Sequence, residues 1–198
     1  MNIVELFDDD QYTAPCIREC NNYSYGDQRK SKKMRQKSDT KLESADCSVL
    51  FLDVDGVLNR CGKFPVNLES ELLANLVRIV ENTDCRIVLS STWRLMDRAM
   101  GDLKFAFDDL GLILDGVTPD LARTMENGIW AGKERGHEIQ AWMDDHFTPD
   151  RFCILDDNSD MAHLLPKLIK TNSFEGLTDA ITDRVIDALN DGSNPLTY

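Results

Sequence analysis

Two aspartates separated by one residue, Asp53 and Asp55, follow a run of four apolar residues at positions 49–52. Such a run, bounded by a turn residue, is typical of a strand that is buried on both faces. Gly56 then allows the chain to turn sharply. Two neighbouring carboxylates repel each other unless they share a cation or a proton. The spacing therefore indicates metal-assisted chemistry, although aspartate and glycine are also ordinary turn residues.

Two further polar pairs follow apolar runs later in the chain. Ser90 and Ser91 come after the second run, and Asp156 and Asp157 come after another. In a parallel α/β sheet the carboxyl ends of the strands lie at one edge, and ligands bind in the crevice beyond that edge. Two pairs of acids and one pair of hydroxyls at the same edge form a rarer combination than any one of these pairs alone. We therefore interpret the three pairs as parts of one site.

The elements that must position these residues alternate between short apolar strands and amphipathic helices. The predicted strands cover residues 49–52, 85–89, 112–114 and 152–155, with an edge strand at 168–170. The predicted helices are one capped by Asn67, one over 95–110 closed by Gly111, one over 138–147, a short one near 161–165, and one from Thr178. This alternation predicts an α/β fold, a three-layer, doubly wound, Rossmann-like and mostly parallel sheet.

We expect no large cap domain over this site. Only a short stretch separates Asn59 from the first helix, and residues 95–134 are taken up by helix, strand and a loop that covers 120–134. An uncapped site stays open to solvent and can admit a macromolecular end, although the loop at 116–134 could form a partial lid.

Length and composition bound the number of domains. The 198 residues, of which 42% are hydrophobic, suffice for one packed domain and an extension. Residues 1–46 lack sustained periodicity, so we expect a polar, flexible N-terminal extension before a domain at 47–198. The chain contains no apolar run of membrane-spanning length and no basic segment before an apolar core at its start. We expect neither a membrane span nor a secretory signal.

Charge is unevenly distributed along the chain. Residues 48–198 carry 14 basic and 26 acidic side chains, a net charge of −12, so this part does not attract polyanions over its whole surface. The one dense basic run, at 29–37, is interpreted first as a solvated tail and second as a nucleic-acid tether or nuclear address. The six scattered cysteines are expected to be free thiols. These features predict a cytoplasmic protein, or a nuclear one if the run is an address.

The motifs resemble those of the haloacid dehalogenase-like (HAD) phosphatases. Asp53-Val54-Asp55-Gly56-Val57 is similar to the first motif, Ser90 or Ser91 to the second, and Ile154-Leu155-Asp156-Asp157 to the fourth. The resemblance covers residues 48 to about 190. More narrowly, the chain is similar to the HAD domain of Swiss Army Knife RNA repair proteins through Ser90-Ser91-Thr92-Trp93-Arg94, Arg135-Gly136-His137-Glu138-Ile139 with Trp142, and Leu155-Asp156-Asp157.

The resemblance implies how the acidic residues act. Asp53 would be the nucleophile and form an aspartyl-phosphate, and Asp55 would give a proton to the leaving alcohol and later take one from water. Mg²⁺ prefers oxygen ligands. Its implied ligands are the Asp53 carboxylate, the Asp55 backbone carbonyl and Asp157, with Asp156 supporting or sharing that role.

The resemblance also implies phosphate-binding residues. Ser91 would contact the phosphoryl oxygens with Ser90 as the alternative, and the serine outside the site would cap the next helix. Family members usually carry a lysine in the third motif; this sequence offers Lys133 and Arg135, and the narrower resemblance favours Arg135, whose guanidinium forms a bidentate fork. For Arg94, a contact with the substrate and an ion pair with a surface acid are equally favoured interpretations. Trp93 and Trp130 are expected to pack rather than to stack on a base.

The sequence therefore predicts a Mg²⁺-dependent HAD-type phosphatase. The favoured substrate is the 3′- or 5′-phosphate end of an RNA or DNA, as in nucleic-acid repair. Two alternatives of the same class are a phosphoprotein phosphatase and a small-molecule (nucleotide) phosphatase. An alternative of another class is a catalytically silent HAD fold that acts as a binding module.

Overall fold

The computed structural model describes residues 47–63, 66–121, 125–126, 129–130 and 133–192, with the backbone alone at 125–126 and 129–130. The strands in these ranges are β1 (Ser48–Leu52), β2 (Arg86–Leu89), β3 (Leu114–Val117), β4 (Met125–Glu126), β5 (Ile129–Trp130), β6 (Arg151–Asp156) and β7 (Leu168–Lys170). The helices are α1 (Ser70–Thr83), α2 (Asp97–Leu110), α3 (Arg135–Asp145) and α4 (Asp179–Asp191). Two short 3₁₀ helices span Thr92–Leu95 and Ala162–Lys167.

Five strands form one parallel sheet in the order β3-β2-β1-β6-β7. Every residue of β1 is buried, because the strand lies at the centre of the sheet and pairs with β2 on one side and with β6 on the other. Phe51, for example, is opposite Val88 of β2 and Ile154 of β6. The predicted parallel α/β sheet, with the aspartate pairs at one edge, is confirmed.

Helices cover both faces of the sheet and produce the predicted three layers. Alternate residues of β1 point to opposite faces: Leu50 and Leu52 belong to one buried cluster, and Val49 and Phe51 to the other. The first cluster is completed by α1, α2 and α4, and the second by α3 and the 3₁₀ helix at Ala162–Lys167. The site residues at the strand ends are therefore held between two packed cores.

Several predicted boundaries differ from the observed ones because tertiary contacts replace local signals. Helix α1 does not begin beside Asn67; Glu69 takes the N-cap position without a side-chain cap, and its carboxylate binds the backbone and guanidinium of Arg60 instead. The helix predicted over 95–110 is divided, because Leu95 ends a 3₁₀ helix and α2 begins at Asp97. Strand β3 begins at Leu114, after the buried Leu112.

Helix α3 begins at Arg135, three residues before the predicted start. Glu134, at its N-cap position, forms no side-chain cap. The first free N–H groups of the helix are instead satisfied by Asp160: the Arg135 N–H donates to the Asp160 carboxylate at 3.4 Å, and the Gly136 N–H to its carbonyl at 3.1 Å. Because this cap comes from a distant loop, the local sequence could not indicate it.

The prediction that 120–134 is mostly loop was incomplete. Met125–Glu126 and Ile129–Trp130 pair as a two-stranded antiparallel sheet. The side chain of Trp130 lies outside the described residues, as do residues 1–46, so the predicted N-terminal extension and the basic run at 29–37 stay predictions. In the part of the chain that the structure describes, no helix has the length and hydrophobicity needed to cross a membrane.

Candidate active site

Three carboxylates converge at the carboxyl edge of the sheet. Asp53, which follows β1, and Asp156 and Asp157, at the end of β6, have carboxylate oxygens within 4.8 Å of one another. Asp53 and Asp156 are buried, and the Oδ2 atom of Asp156 has no hydrogen-bond partner. A divalent cation would satisfy this buried oxygen, and an all-oxygen donor set is the one that Mg²⁺ prefers. The residues present therefore fit a magnesium ion.

Gly56 permits Asp157 to approach the turn after β1. Its φ of +71° lies in the left-handed region, and a Cβ atom built on it would lie 2.4 Å from Oδ2 of Asp157. The Gly56 carbonyl is also fixed, because it accepts a hydrogen bond of 2.8 Å from the Thr171 hydroxyl. A side chain at position 56 would therefore displace a carboxylate of the acidic cluster.

The carboxylate of Asp55 is held in one orientation by two donors. The indole N–H of Trp93 donates to Oδ2 at 3.0 Å, and the side-chain amide of Asn59 donates to Oδ1 at 2.7 Å. Asn59 also accepts a hydrogen bond from the Gly56 N–H at 3.0 Å, which closes the turn. Trp93 is buried, so it packs as expected, but its N–H contact with Asp55 was not predicted.

Arg135 is the cation that faces the acidic cluster. Its guanidinium lies 3.4 Å from Oδ1 of Asp53 and 3.5 Å from Oδ2 of Asp156, and it also donates to the Ser90 carbonyl. Next to it, Gly136 allows α3 to pack directly on the Met161 backbone, because a Cβ atom there would lie 1.9 Å from the Met161 carbonyl oxygen. Of the two candidates for the third motif, Arg135 lies at the cluster, whereas Lys133 is exposed.

Burial and charge perturb both buried acids. Burial raises the pKa of Asp53, and the nearby Arg135 guanidinium and the Ser91 hydroxyl oppose this effect. Burial and the Asp53 carboxylate raise the pKa of Asp156 to about 7, again against Arg135. The neighbouring carboxylates raise the pKa of Arg135 although burial acts in the opposite direction, so the guanidinium stays charged. The site concentrates negative charge that one arginine compensates only in part.

The two serines after β2 have different environments. The Ser91 hydroxyl accepts a hydrogen bond of 3.3 Å from the Trp93 N–H, which caps the 3₁₀ helix, and it also interacts with Asp53. The Ser90 hydroxyl is buried and has no hydrogen-bond partner, while its carbonyl binds two arginines. Ser91 thus lies beside the proposed nucleophile and caps the next helix, two roles that had been treated as alternatives.

The side chain of Arg94 is buried and joins several backbone segments through hydrogen bonds, an arrangement that we call the clamp. Its five N–H groups donate to the carbonyls of four residues and to the carboxylate of Glu138, at distances between 2.6 and 3.2 Å; the four carbonyls belong to Ser90, Ser91, Thr118 and Pro119. The side chains of Arg94 and Glu138 are only 3% and 6% exposed. Arg94 therefore pairs with a buried acid rather than a surface one, and its donors are already occupied by the protein.

The structure brings together most of the residues that the sequence singled out. Asp53, Asp156 and Asp157 lie together, with Arg135 against the first two and Ser91 beside Asp53, and Asp55 follows Asp53 in the turn after β1. Their roles stay predictions. Sequence reasoning missed the contributions of Glu138, Asn59 and Thr171. The one available signal was that Asn59 lies three residues after Gly56, a spacing typical of a turn closed by a side chain.

A parallel sheet with one aspartate pair after its central strand and another after the neighbouring strand β6 defines a domain of the HAD-like class. The family model for the HAD domain in Swiss Army Knife RNA repair proteins matches residues 49–181. The chain belongs to this family.

Comparisons with whole proteins add little. No curated protein matches the chain. The chain is similar to a chain of the solved structure described as "Structure of Pnkp1/Rnl/Hen1 complex", at 12% sequence identity and a TM-score of 0.39. The similarity covers 76% of this chain and 57% of that chain, so this chain spans less than two thirds of that relative. HAD domains are in general phosphate hydrolases that use Mg²⁺, and the acidic cluster here agrees with that chemistry.

Proposed function

We propose that this protein is a Mg²⁺-dependent phosphomonoester hydrolase that acts through an aspartyl-phosphate on Asp53. The observation that carries this proposal is the convergence of the Asp53, Asp156 and Asp157 carboxylates within 4.8 Å of one another at the carboxyl edge of the sheet. Three carboxylates beside one arginine repel one another unless they share a further cation or a proton. That cation would also allow a dianionic phosphate to approach a carboxylate.

The proposed roles follow from where each group lies. Asp53, Asp157 and the Asp55 carbonyl would hold Mg²⁺ with support from Asp156, and the ion would neutralise the charge on the phosphoryl group. Arg135, beside Asp53, would bind phosphoryl oxygens through its guanidinium fork. Asp53 would attack phosphorus and the bond to the leaving oxygen would break. In this scheme Lys133, which is exposed, would not contact the phosphate.

Asp55 would move the proton in both halves of the reaction. The hydrogen bonds from Trp93 and Asn59 hold its carboxyl group in place, as a positioned acid requires. It would protonate the leaving alcohol while Asp53 becomes phosphorylated. It would then take a proton from the water that attacks the aspartyl-phosphate, which releases inorganic phosphate and regenerates Asp53.

For the substrate, we propose the phosphorylated 3′ or 5′ end of a polynucleotide, RNA in particular. Support comes from the family, which is described by its occurrence in RNA repair proteins. The acidic character of residues 48–198 gives no general attraction to a polyanion, so the end of the strand would have to be held by a few local contacts.

Hydrolysis of p-nitrophenyl phosphate, followed by p-nitrophenolate absorbance with and without Mg²⁺, tests the reaction. We expect turnover that requires Mg²⁺ and falls by at least about 1,000-fold in Asp53→Asn, because the nucleophile is lost. Asp187→Asn, an exposed aspartate of α4, is the matched control. Equal rates in both variants would contradict the proposal, and absence of metal-dependent turnover would favour a binding module. The substrate is then tested by comparing end-phosphorylated oligonucleotides with phosphoserine peptides.

A further inference from the structure

A cleft of about 570 Å³ opens beside the proposed proton donor. Asp55, Asn59 and Trp93 form its inner wall, and its outer part is lined by the segment after Asn59 and by the beginning of α2. Asp53, Asp156 and Asp157 do not line it. Its volume lies in the range of about 300–1,000 Å³ that is common for small-molecule sites. Asp55 therefore lies in the wall of a cleft that is large enough for an organic group.

The position of Asp55 indicates what the cleft would hold. A general acid must lie within hydrogen-bond reach of the oxygen that it protonates. If Asp55 protonates the leaving oxygen, that oxygen and the group attached to it must lie beside Asp55. The cleft opens next to Asp55, so it can receive the leaving group.

Among the described basic residues that line the cleft, Arg98 is available to a ligand. Arg60 and Lys63 are both paired with Glu69, and Arg60 also with Glu71. Arg98, exposed in the first turn of α2, has no ion-pair or hydrogen-bond partner in the part of the chain that the structure describes. Arg98 can thus bind an anionic oxygen of the leaving group without breaking an existing contact.

The rest of the wall is mixed: Asp102, one helical turn after Arg98, lines it together with the exposed apolar side chains of Met96 and Val66. Phe174, 71% exposed, lies near Gly62, which also lines the cleft. Exposed apolar and aromatic side chains near one arginine suit a planar base attached to an anionic backbone, because bases stack on aromatic faces in any sequence. A phosphoserine leaving group is small and offers no comparable apolar surface.

We propose that this cleft binds the terminal nucleoside of a polynucleotide that ends in a phosphomonoester, and that Arg98 contacts the phosphodiester joining this nucleoside to its neighbour. The base lies against Met96 and Val66 and reaches Phe174. This assignment rests on the proposed function, because Asp55 identifies the cleft as the leaving-group side.

Turnover of three substrates tests the assignment: p-nitrophenyl phosphate, a nucleoside monophosphate, and a trinucleotide with one terminal phosphate. We expect Arg98→Glu to lower the ratio of kcat/KM for the trinucleotide to kcat/KM for p-nitrophenyl phosphate about tenfold or more. Lys104→Glu, which makes the same charge change at an exposed position of α2 outside the cleft, should leave this ratio unchanged. The nucleoside monophosphate, which lacks the phosphodiester, should be insensitive to Arg98.

Phe174→Ala should lower the same ratio roughly fivefold or more, because base stacking is lost. Phe105→Ala, at an equally exposed phenylalanine (68%) on α2, is its control. An unchanged ratio in both Arg98→Glu and Phe174→Ala, or a clear preference for phosphoserine peptides over trinucleotides, would overturn the assignment.

A binding measurement distinguishes a failure of this assignment from a failure of the proposed function. Fluorescence anisotropy of a labelled, end-phosphorylated trinucleotide is measured with Asp53→Asn alone and combined with Arg98→Glu. Affinity that falls about tenfold in the double variant supports the cleft even if the protein shows no turnover. If the protein hydrolyses the trinucleotide but its affinity for it does not change in Arg98→Glu, the assignment of the cleft is wrong and the proposed phosphatase activity is unaffected.

Discussion

At the scale of single residues, the site depends on a few residues that allow several carboxylates to lie close together. The carboxylates of Asp53 and Asp156 are buried, and among the described residues Arg135 is the cation that lies against both. Gly56 provides the space for a third carboxylate, that of Asp157. Such a cluster is unfavourable in the absence of a cation, and a cation that binds it would stabilise the folded protein by mass action.

Gly56→Ala should destabilise the protein and weaken Mg²⁺ binding. The new Cβ atom would meet the Asp157 carboxylate at 2.4 Å, and the φ of +71° is unfavourable for alanine. We expect a loss of about 1–3 kcal/mol in the free energy of unfolding, measured by urea denaturation, and a raised Kd for Mg²⁺ in calorimetry. Gly101→Ala, in α2 with nothing within 4 Å, should instead stabilise by about 0.5–1 kcal/mol. Equal effects of the two substitutions would contradict this explanation.

The metal-free protein should lose stability as the pH rises from about 4 to about 7. The pKa of Asp156 is raised from 3.8 to about 7, so the folded state binds this proton more tightly than the unfolded state does. Its stabilising contribution is fully present below the unfolded pKa and is lost as the pH passes through the folded pKa. Thermal unfolding in a chelator over this range measures the effect, which should be on the order of a few kcal/mol.

Two controls accompany the pH series. Asp156→Asn should remove most of the pH dependence, because the buried charge no longer forms, whereas Asp187→Asn should keep it. Added Mg²⁺ at pH 7.5 should raise the melting temperature of the unmodified protein. A melting temperature that rises with pH in the chelator would show that Asp156 is not the dominant group.

At the scale of elements, the Arg94–Glu138 pair joins three segments that the site needs. Arg94 holds the backbone after β2 and after β3, and Glu138 comes from the first turn of α3, which also carries Arg135. The second Glu138 oxygen accepts a hydrogen bond of 3.1 Å from the Leu121 N–H. This clamp fixes the distance between the strand ends and the proposed phosphate-binding arginine.

Arg94→Ala should cost about 3–5 kcal/mol of stability, because it leaves the buried Glu138 carboxylate without its ion pair. Arg78→Ala is the matched control: Arg78 pairs with Asp179 and Asp183 at the surface, and such pairs contribute about 0–1 kcal/mol. Urea denaturation of both variants measures the difference. A loss in Arg94→Ala no larger than in Arg78→Ala would mean that the clamp is not structural.

The elements that the sequence predicted well are those whose signal is local. Continuous apolar runs identified β1, β2 and β6, and the last helix was predicted to begin near Thr178, whose hydroxyl accepts a hydrogen bond from the Ile181 N–H at the N-cap of α4. Parallel topology then placed the aspartate pairs at one edge. The family resemblance, which rests in part on these strand ends, is confirmed.

The features that the sequence could not predict depend on contacts between distant residues. The α3 start is capped by Asp160, and the α1 start is fixed by the contact of Glu69 with Arg60. For Arg94 the sequence did not decide between a substrate contact and a surface ion pair, because four of its partners are backbone carbonyls, which carry no sequence signal. The short strands β4 and β5 were missed because two residues are too few to show a period.

At the scale of the whole molecule, the described residues that form the two buried clusters lie between positions 47 and 189. We therefore propose that the domain at 47–198 folds without residues 1–46. A protein that begins at Cys47 should unfold cooperatively in urea, with a midpoint within about 0.5 M of the full chain, since the same apolar surface is buried. Its Mg²⁺-dependent hydrolysis of p-nitrophenyl phosphate should match that of the full chain. A non-cooperative transition would show that the extension is part of the fold.

The central position of β1 also affects how the protein is made. Its partner β6 begins about 100 residues later in the chain, since Ser48 lies opposite Arg151. At a translation rate of about 5–20 residues per second, the strand that carries Asp53 would wait roughly 5–20 s for the strand that carries Asp156 and Asp157. During this interval one edge of β1 has unpaired N–H and C=O groups. We therefore expect the nascent chain to be inactive and prone to aggregation until β6 has been synthesised.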